Sequence, residues 1–137
     1  MNRIGVWVFF LFWVIAVAQM FHYYPLLPDV MASHFNAAGQ PDNWSPKRFL
    51  FGMEILILLL FIVIFIGPRY WISQTPDRWI SIPRREYWVA PERREKTLDE
   101  LSAQLAWFGS ATLLLFIAVF EMGFRSNLYG HAMSKGA

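Results

Sequence analysis

The sequence has 137 residues, of which 56% are hydrophobic and 16% charged, with a formal net charge of +2. A soluble domain carries about a quarter of its residues as charges, so this balance excludes an ordinary water-soluble globule and makes lipid part of the solvent. With no cysteine, a disulfide framework, a thiol nucleophile and a zinc-thiolate centre are excluded, and basic residues interleaved with acids around apolar runs exclude a nucleic-acid-binding stripe.

Residues 4–21 form an apolar run whose one strongly polar member is Gln19. At about 1.5 Å per residue it nearly crosses a ~30 Å hydrocarbon core, so it predicts a first transmembrane helix. Arg3 and Ala16-Val17-Ala18 are also signal-peptide cues, but we read the run as a retained span. Residues 22–48 follow as a loop whose Gly, Asn, Asp and Pro demand turns rather than a helix. Tyr23, Tyr24 and Trp44 suit a membrane interface. Residues 49–67 predict a second span, carrying Glu54 and closed by Gly67-Pro68, where a helix cannot continue.

The segment 68–102 is aromatic and basic. Ile80-Ser81-Ile82-Pro83 and Tyr87-Trp88-Val89 are short and broken by proline, which predicts pieces lying along a membrane surface. There Arg84, Arg85, Tyr87, Trp88, Arg93 and Arg94 are candidate contacts to lipid or to a partner, the arginines suiting lipid phosphates. Pro91 suits a first helical turn, Glu92 and Glu95 its positive end, and Leu98, Leu101 and Leu105 an apolar stripe. One helix over residues 91–124 is predicted, with its membrane part at 103–124 and a tail at 125–137. Glu92 and Lys96 are spaced for an exposed ion pair. Ser102, Ala106 and Ser110, with Gly109 alongside, form a small-residue stripe for close helix packing, within the chain or against a partner.

Positive charge sets the expected orientation. Arg69, Arg78, Arg84, Arg85, Arg93, Arg94 and Lys96 lie in the second connection, against Lys47 and Arg48 in the first. The second connection and the N-terminus are therefore expected in the cytoplasm, and the C-terminus outside. The expected fold is a single all-α membrane domain of three transmembrane helices, with a structured outer loop and a third helix extended into the cytoplasm.

In that topology Gln19, His22, Glu54 and Glu121 converge at similar depth, with His34 in the loop above. An ionisable group inside hydrocarbon costs about 2.5–3.5 kcal/mol on insertion scales and faces a bundle interior, a cavity or a partner. These residues are candidates for a cation or proton site, since carboxylate and imidazole suit zinc and similar ions. The alternative is structural: Glu121 pairs with Arg125 four residues on, and Glu54 bonds to Gln19, His22 or a loop donor. No serine-histidine, glycine-rich phosphate or metalloprotease motif is present, so no enzymatic activity and no cofactor are expected.

The loop contains Leu27-Pro28, then His34-Phe35, then Gly39, Pro41-Asp42, Trp44 and Lys47. In this pattern the chain resembles the bacterial membrane family called domain of unknown function 1648. Ile82-Pro83, Tyr87-Trp88 and Ala90-Pro91-Glu92-Arg93-Arg94 are similar to the inner segment of its short stand-alone members. The same module resembles the N-terminal part of immunity proteins against a sporulation-delaying toxin, which implies a toxin-immunity or signalling role. Together these readings lead to an accessory, scaffold or sensor protein of the bacterial cytoplasmic membrane, contacting lipid and other membrane subunits or copies of itself. An ion-binding transport component using Glu54 and Glu121 is the alternative.

Overall fold

A computed structural model describes residues 3–136, with side chains described for residues 3–129. In chain order the elements are α1 (Ile4–Tyr23), a 3-10 turn (Tyr24–Leu26), β1 (Val30–Phe35), β2 (Pro41–Pro46), α2 (Lys47–Phe65), α3 (Pro68–Ile72), a second 3-10 turn (Asp77–Trp79), α4 (Arg85–Trp88) and α5 (Arg94–Gly136). Among the described residues, three helices are long and apolar enough to cross a membrane: Ile4–Leu26, Lys47–Ile72 and Arg94–Tyr129. Their outward faces carry large apolar side chains such as Trp7, Phe21, Leu115 and Met122, all at least 66% exposed. That pattern is inverted for water and suits lipid.

Each long helix buries one narrow face. On α1 it is Gly5, Phe9, Ala16, Met20 and Tyr23, and on α2 it is Lys47, Phe51, Glu54, Leu58 and Phe65. These positions recur at three- and four-residue steps, the spacing that returns to one side of an α-helix. The small residues anticipated on the third helix sit at the crossing point: Ala106, Gly109 and Ser110 are buried, and Ser102 is half-buried. A Cβ at Gly109 would stand 2.6 Å from Phe65 Cγ and 2.9 Å from Phe9 Cε2. This stripe therefore serves packing within the chain, since all three long helices close on it.

Aromatic rings fill the remainder. Phe124 stacks on Phe51 at 5.2 Å and lies 5.0 Å from Tyr23, while Phe116 meets Phe61 at 5.5 Å and Phe65 meets Phe9 at 6.2 Å. One ladder of rings thus joins α1, α2 and α5 over most of their length.

Three expectations about the elements are corrected. The loop after the first span is not built of turns alone, and the fold is not purely helical: β1 and β2 pair antiparallel, with Val30 opposite Pro46 and Phe35 opposite Pro41. Gly39, at φ 78°, makes the reversal, and Asn36 Oδ1 accepts from the backbone N–H groups of Ala38 and Gln40. The long helix begins at Arg94, because residues 91–93 form a turn in which the N–H groups of Arg93 and Arg94 both bond to Ala90 O. Glu92 consequently precedes the helix and pairs with Arg93 at 3.5 Å rather than with Lys96. At its other end α5 runs on to Gly136 where a tail was expected, and Ala137 lies outside the described residues. Helix continues past Phe124 because the apolar register does: Phe124, Asn127 and Leu128 keep the inward spacing.

The segment between α2 and α5 is held to the bundle by arginines. Arg69 Nε donates to Asp99 at 2.8 Å, and Arg94 bonds to Asp77 and to the carbonyls of Ile72, Ser73 and Thr75. Arg94 thereby ties the C-terminal end of α3 and the turn after it to the start of α5.

Candidate functional site

Polar chemistry concentrates at the end of the bundle that carries the hairpin. Glu121, on α5, is the acceptor at its centre. Gln19 Nε2 donates to its Oε2 at 3.0 Å and to the carbonyl of Ile117 at 3.0 Å. The Tyr23 hydroxyl and Arg125 Nε both donate to Glu121 Oε1, the latter at 2.9 Å. Three donors from α1 and α5 thus surround one carboxylate, which is how a charge is tolerated near hydrocarbon.

One layer further out, the hairpin is fastened to the helices. Asn127 Oδ1 accepts from the backbone N–H of Ala32 at 2.8 Å, while its Nδ2 donates to Ala32 O at 3.3 Å and to Gly123 O at 2.9 Å. The amide thereby replaces a neighbouring strand for one residue of β1. From the other side, Lys47 Nζ donates to the carbonyls of Tyr24 and Leu27 at 2.8 and 3.1 Å and lies 4.3 Å from the Tyr24 ring centroid. The Lys47 backbone N–H donates to Asp29 O at 2.7 Å. Lys47 is 9% exposed, so its charge is neutralised mainly by carbonyl dipoles and the π face.

Glu54 is different. It is 2% exposed, and among the described residues neither carboxylate oxygen has a hydrogen-bond partner; Gln19 Oε1 is likewise buried and unpartnered there. The expected bond from Glu54 to Gln19, His22 or a loop donor is not formed. His22 is exposed, with its ring edge-on to Tyr23 at 4.9 Å. His34 is exposed on the hairpin and pairs with Asp42 at 2.6 Å. Of the anticipated polar group, then, Gln19 and Glu121 meet, Glu54 stands without a partner, and the two histidines lie elsewhere. Among the described residues no group of three His, Cys, Asp or Glu is placed to hold a metal ion.

The other loop residues of the pattern divide by role. Gly39 supplies the left-handed turn and Lys47 the anchor, Pro41 opens β2, and Pro28 and Phe35 are half-buried at the two ends of the β1 segment. Trp44 is 57% exposed on the outer side of the hairpin. At the opposite end Arg84 is exposed at φ 56° before α4, and Arg85 Nη1 bonds to Arg78 O at 3.0 Å. Arg93 bonds to Tyr87 O at 2.7 Å and lies 3.8 Å from that ring's centroid. Arg85, Arg93 and Arg94 thus have intramolecular partners, while Tyr87 and Trp88 are exposed.

Sequence reading missed Asn127, Tyr23 as a ligand to Glu121, and Trp13, whose Nε1 donates to Leu58 O at 2.9 Å. The available signal was register: Leu113, Phe120, Phe124 and Asn127 share the inward face of α5. An asparagine on that face calls for a partner.

Between α1 and α2 on the hairpin side lies an apolar cleft of about 570 Å³, floored by Trp13, Met20, Phe51 and Leu58. It exists because both helices pack on α5 more than on each other, with the Trp13–Leu58 bond as a direct strut.

Searches of curated proteins and of solved structures find no match. Residues 4–58, which comprise α1, the hairpin and the first part of α2 through Leu58, match the family model described as domain of unknown function (DUF1648).

Proposed function

We propose that this is a non-enzymatic accessory protein of the bacterial cytoplasmic membrane, which presents a preorganised extracytoplasmic hairpin to another membrane-protein subunit. The observation carrying this reading is the clasp on β1. Asn127 and Lys47 hold the base of the hairpin against the bundle, while Val30 and Trp44 project from it at 56% and 57% exposure. A two-stranded hairpin is marginal by itself in water. Fastening it removes most of the ordering cost of binding, and exposed tryptophan is an interface anchor.

The hairpin is outside and the N-terminus inside in this reading. Support comes from the excess of arginine between α2 and α5 and from Tyr70, Trp71, Trp79 and Trp88 at that end, the aromatic side chains of an interfacial belt. Reporter tags at Gln74 and at the C-terminus should give cytoplasmic and external signals respectively.

The partner is tested by placing a photo-crosslinking amino acid at Trp44 and at Gln74 in cells and by native mass spectrometry of the purified protein. The expected result is one discrete crosslinked membrane protein from position 44 and a stoichiometric complex in the spectrometer. A monomer with no crosslink above the level of a lipid-facing control at Leu115 would refute the reading.

A further inference from the structure

Glu54 and Gln19 hold three buried oxygens that no donor among the described residues reaches: both carboxylate oxygens of Glu54 and the amide oxygen of Gln19. Gln19 has no freedom to relieve this by turning its amide. Both hydrogens of its Nε2 are committed, one to Ile117 O and one to Glu121, so its Oε1 is fixed as an acceptor facing away from them. Contacts on either side bring the two residues to one depth. Trp13 is tied to Leu58 O at 2.9 Å, and the rings of Tyr24 and Phe51 meet at 4.9 Å. Gln19 lies midway between Trp13 and Tyr24, Glu54 midway between Phe51 and Leu58, and antiparallel helices of equal rise carry both to the same layer.

The charged and titratable groups around that layer are engaged elsewhere. Tyr23 on α1 and Arg125 on α5 bond to Glu121, and Lys47 at the head of α2 bonds to backbone carbonyls with Asp29 at 4.0 Å. His22 on α1 is exposed. Among the described residues, the acceptor set therefore lacks a positive partner.

We propose that Glu54 is an intramembrane binding site for one monovalent cation, a proton or a sodium ion, with the Gln19 amide oxygen a further acceptor at the same depth. Charge selects the class. One positive charge neutralises one buried carboxylate, whereas a divalent ion would leave an excess charge in the same apolar surroundings and a neutral donor would leave the negative one. The ligands are all oxygen, which suits hard ions and not softer transition metals. In the proton form the carboxyl hydroxyl becomes the missing donor, and the proton is taken from water and returned to it. The site lies two turns of α2 below Lys47, about 10 Å from the hairpin end.

The test is reaction with dicyclohexylcarbodiimide, which modifies protonated carboxyl groups in apolar surroundings. The full chain in lipid nanodiscs is labelled across a range of pH in sodium or choline chloride of equal ionic strength, and the label is located by peptide mass spectrometry. The expected result is label on Glu54, absent from Glu54→Gln. After correction for hydrolysis of the reagent, its rate falls about tenfold for each pH unit above the midpoint. Slowing by sodium at fixed pH identifies the sodium form, and indifference to sodium with a retained pH dependence identifies the proton form. A rate at Glu54 that is flat in both pH and sodium would overturn the proposal. So would a Glu54 left unlabelled at every pH in protein with the near-UV circular dichroism of the folded chain.

Discussion

Substituting Asn127 by alanine isolates the contribution of the clasp. Ala32 is 7% exposed, and the substitution strands both its N–H, bonded at 2.8 Å, and its carbonyl, bonded at 3.3 Å. A buried group left without a partner costs about 1–3 kcal/mol, the longer bond contributing least, so the expected penalty is about 2–4 kcal/mol. The hairpin is the smallest cooperative unit containing these groups, and that penalty exceeds what two short strands supply alone. It therefore appears as local opening rather than loss of the bundle. Amide hydrogen exchange on nanodisc samples should show protection of the β1 and β2 amides reduced by about thirty-fold to a thousand-fold, each tenfold corresponding to ~1.4 kcal/mol. Amides in the middle of α1, α2 and α5 should exchange as in the wild type. Ser45→Ala, which removes only the exposed 3.2 Å contact to Ser33, is the matched control and should leave the pattern within about twofold. Unchanged hairpin protection in Asn127→Ala would show that the strands stand without the clasp and would remove the reason for calling the hairpin preorganised.

Four further outcomes follow from the packing and the polar contacts. Gly109→Ala forces a carbon to within 2.6–2.9 Å of Phe65 and Phe9 and should destabilise the bundle by about 1–3 kcal/mol, read as a lowered thermal midpoint in detergent. Gly52→Ala meets open space and should be neutral or stabilising by up to about 1 kcal/mol in the same assay. Glu121→Gln removes the charge that collects Gln19, Tyr23 and Arg125; a loss near 1.5 kcal/mol is expected, the low end for bonds to a charge because the site is partly exposed. Trp13→Phe deletes the strut to Leu58 O and should cost about 0.5–1.5 kcal/mol, read as a lowered thermal midpoint in detergent.

What was legible in the sequence and what was not separates along a physical line. Span number follows from length and apolarity alone, and these persist through any packing. The Glu121–Arg125 contact was legible because four residues on one helix fix its geometry. The hairpin was not, because Pro41-Asp42-Asn43-Trp44-Ser45-Pro46 is a poor strand by composition and is ordered by pairing with β1, itself held by Asn127 far along the chain. The same distinction explains the polar layer. Depth in the membrane tolerates an error of one residue, which moves a side chain about 1.5 Å, so residues such as Gln19 and Glu121, which bond to each other, can be placed at one level from the sequence. Azimuth does not tolerate it, since one residue turns a helix by roughly 100°. Whether Glu54 met Gln19 or an empty layer depended on that angle, which the crossing at Gly109 sets through Phe9 and Phe65. The least predictable feature of the chain, a buried acid with no partner among the described residues, thus depends on how three helices cross at a glycine several turns away.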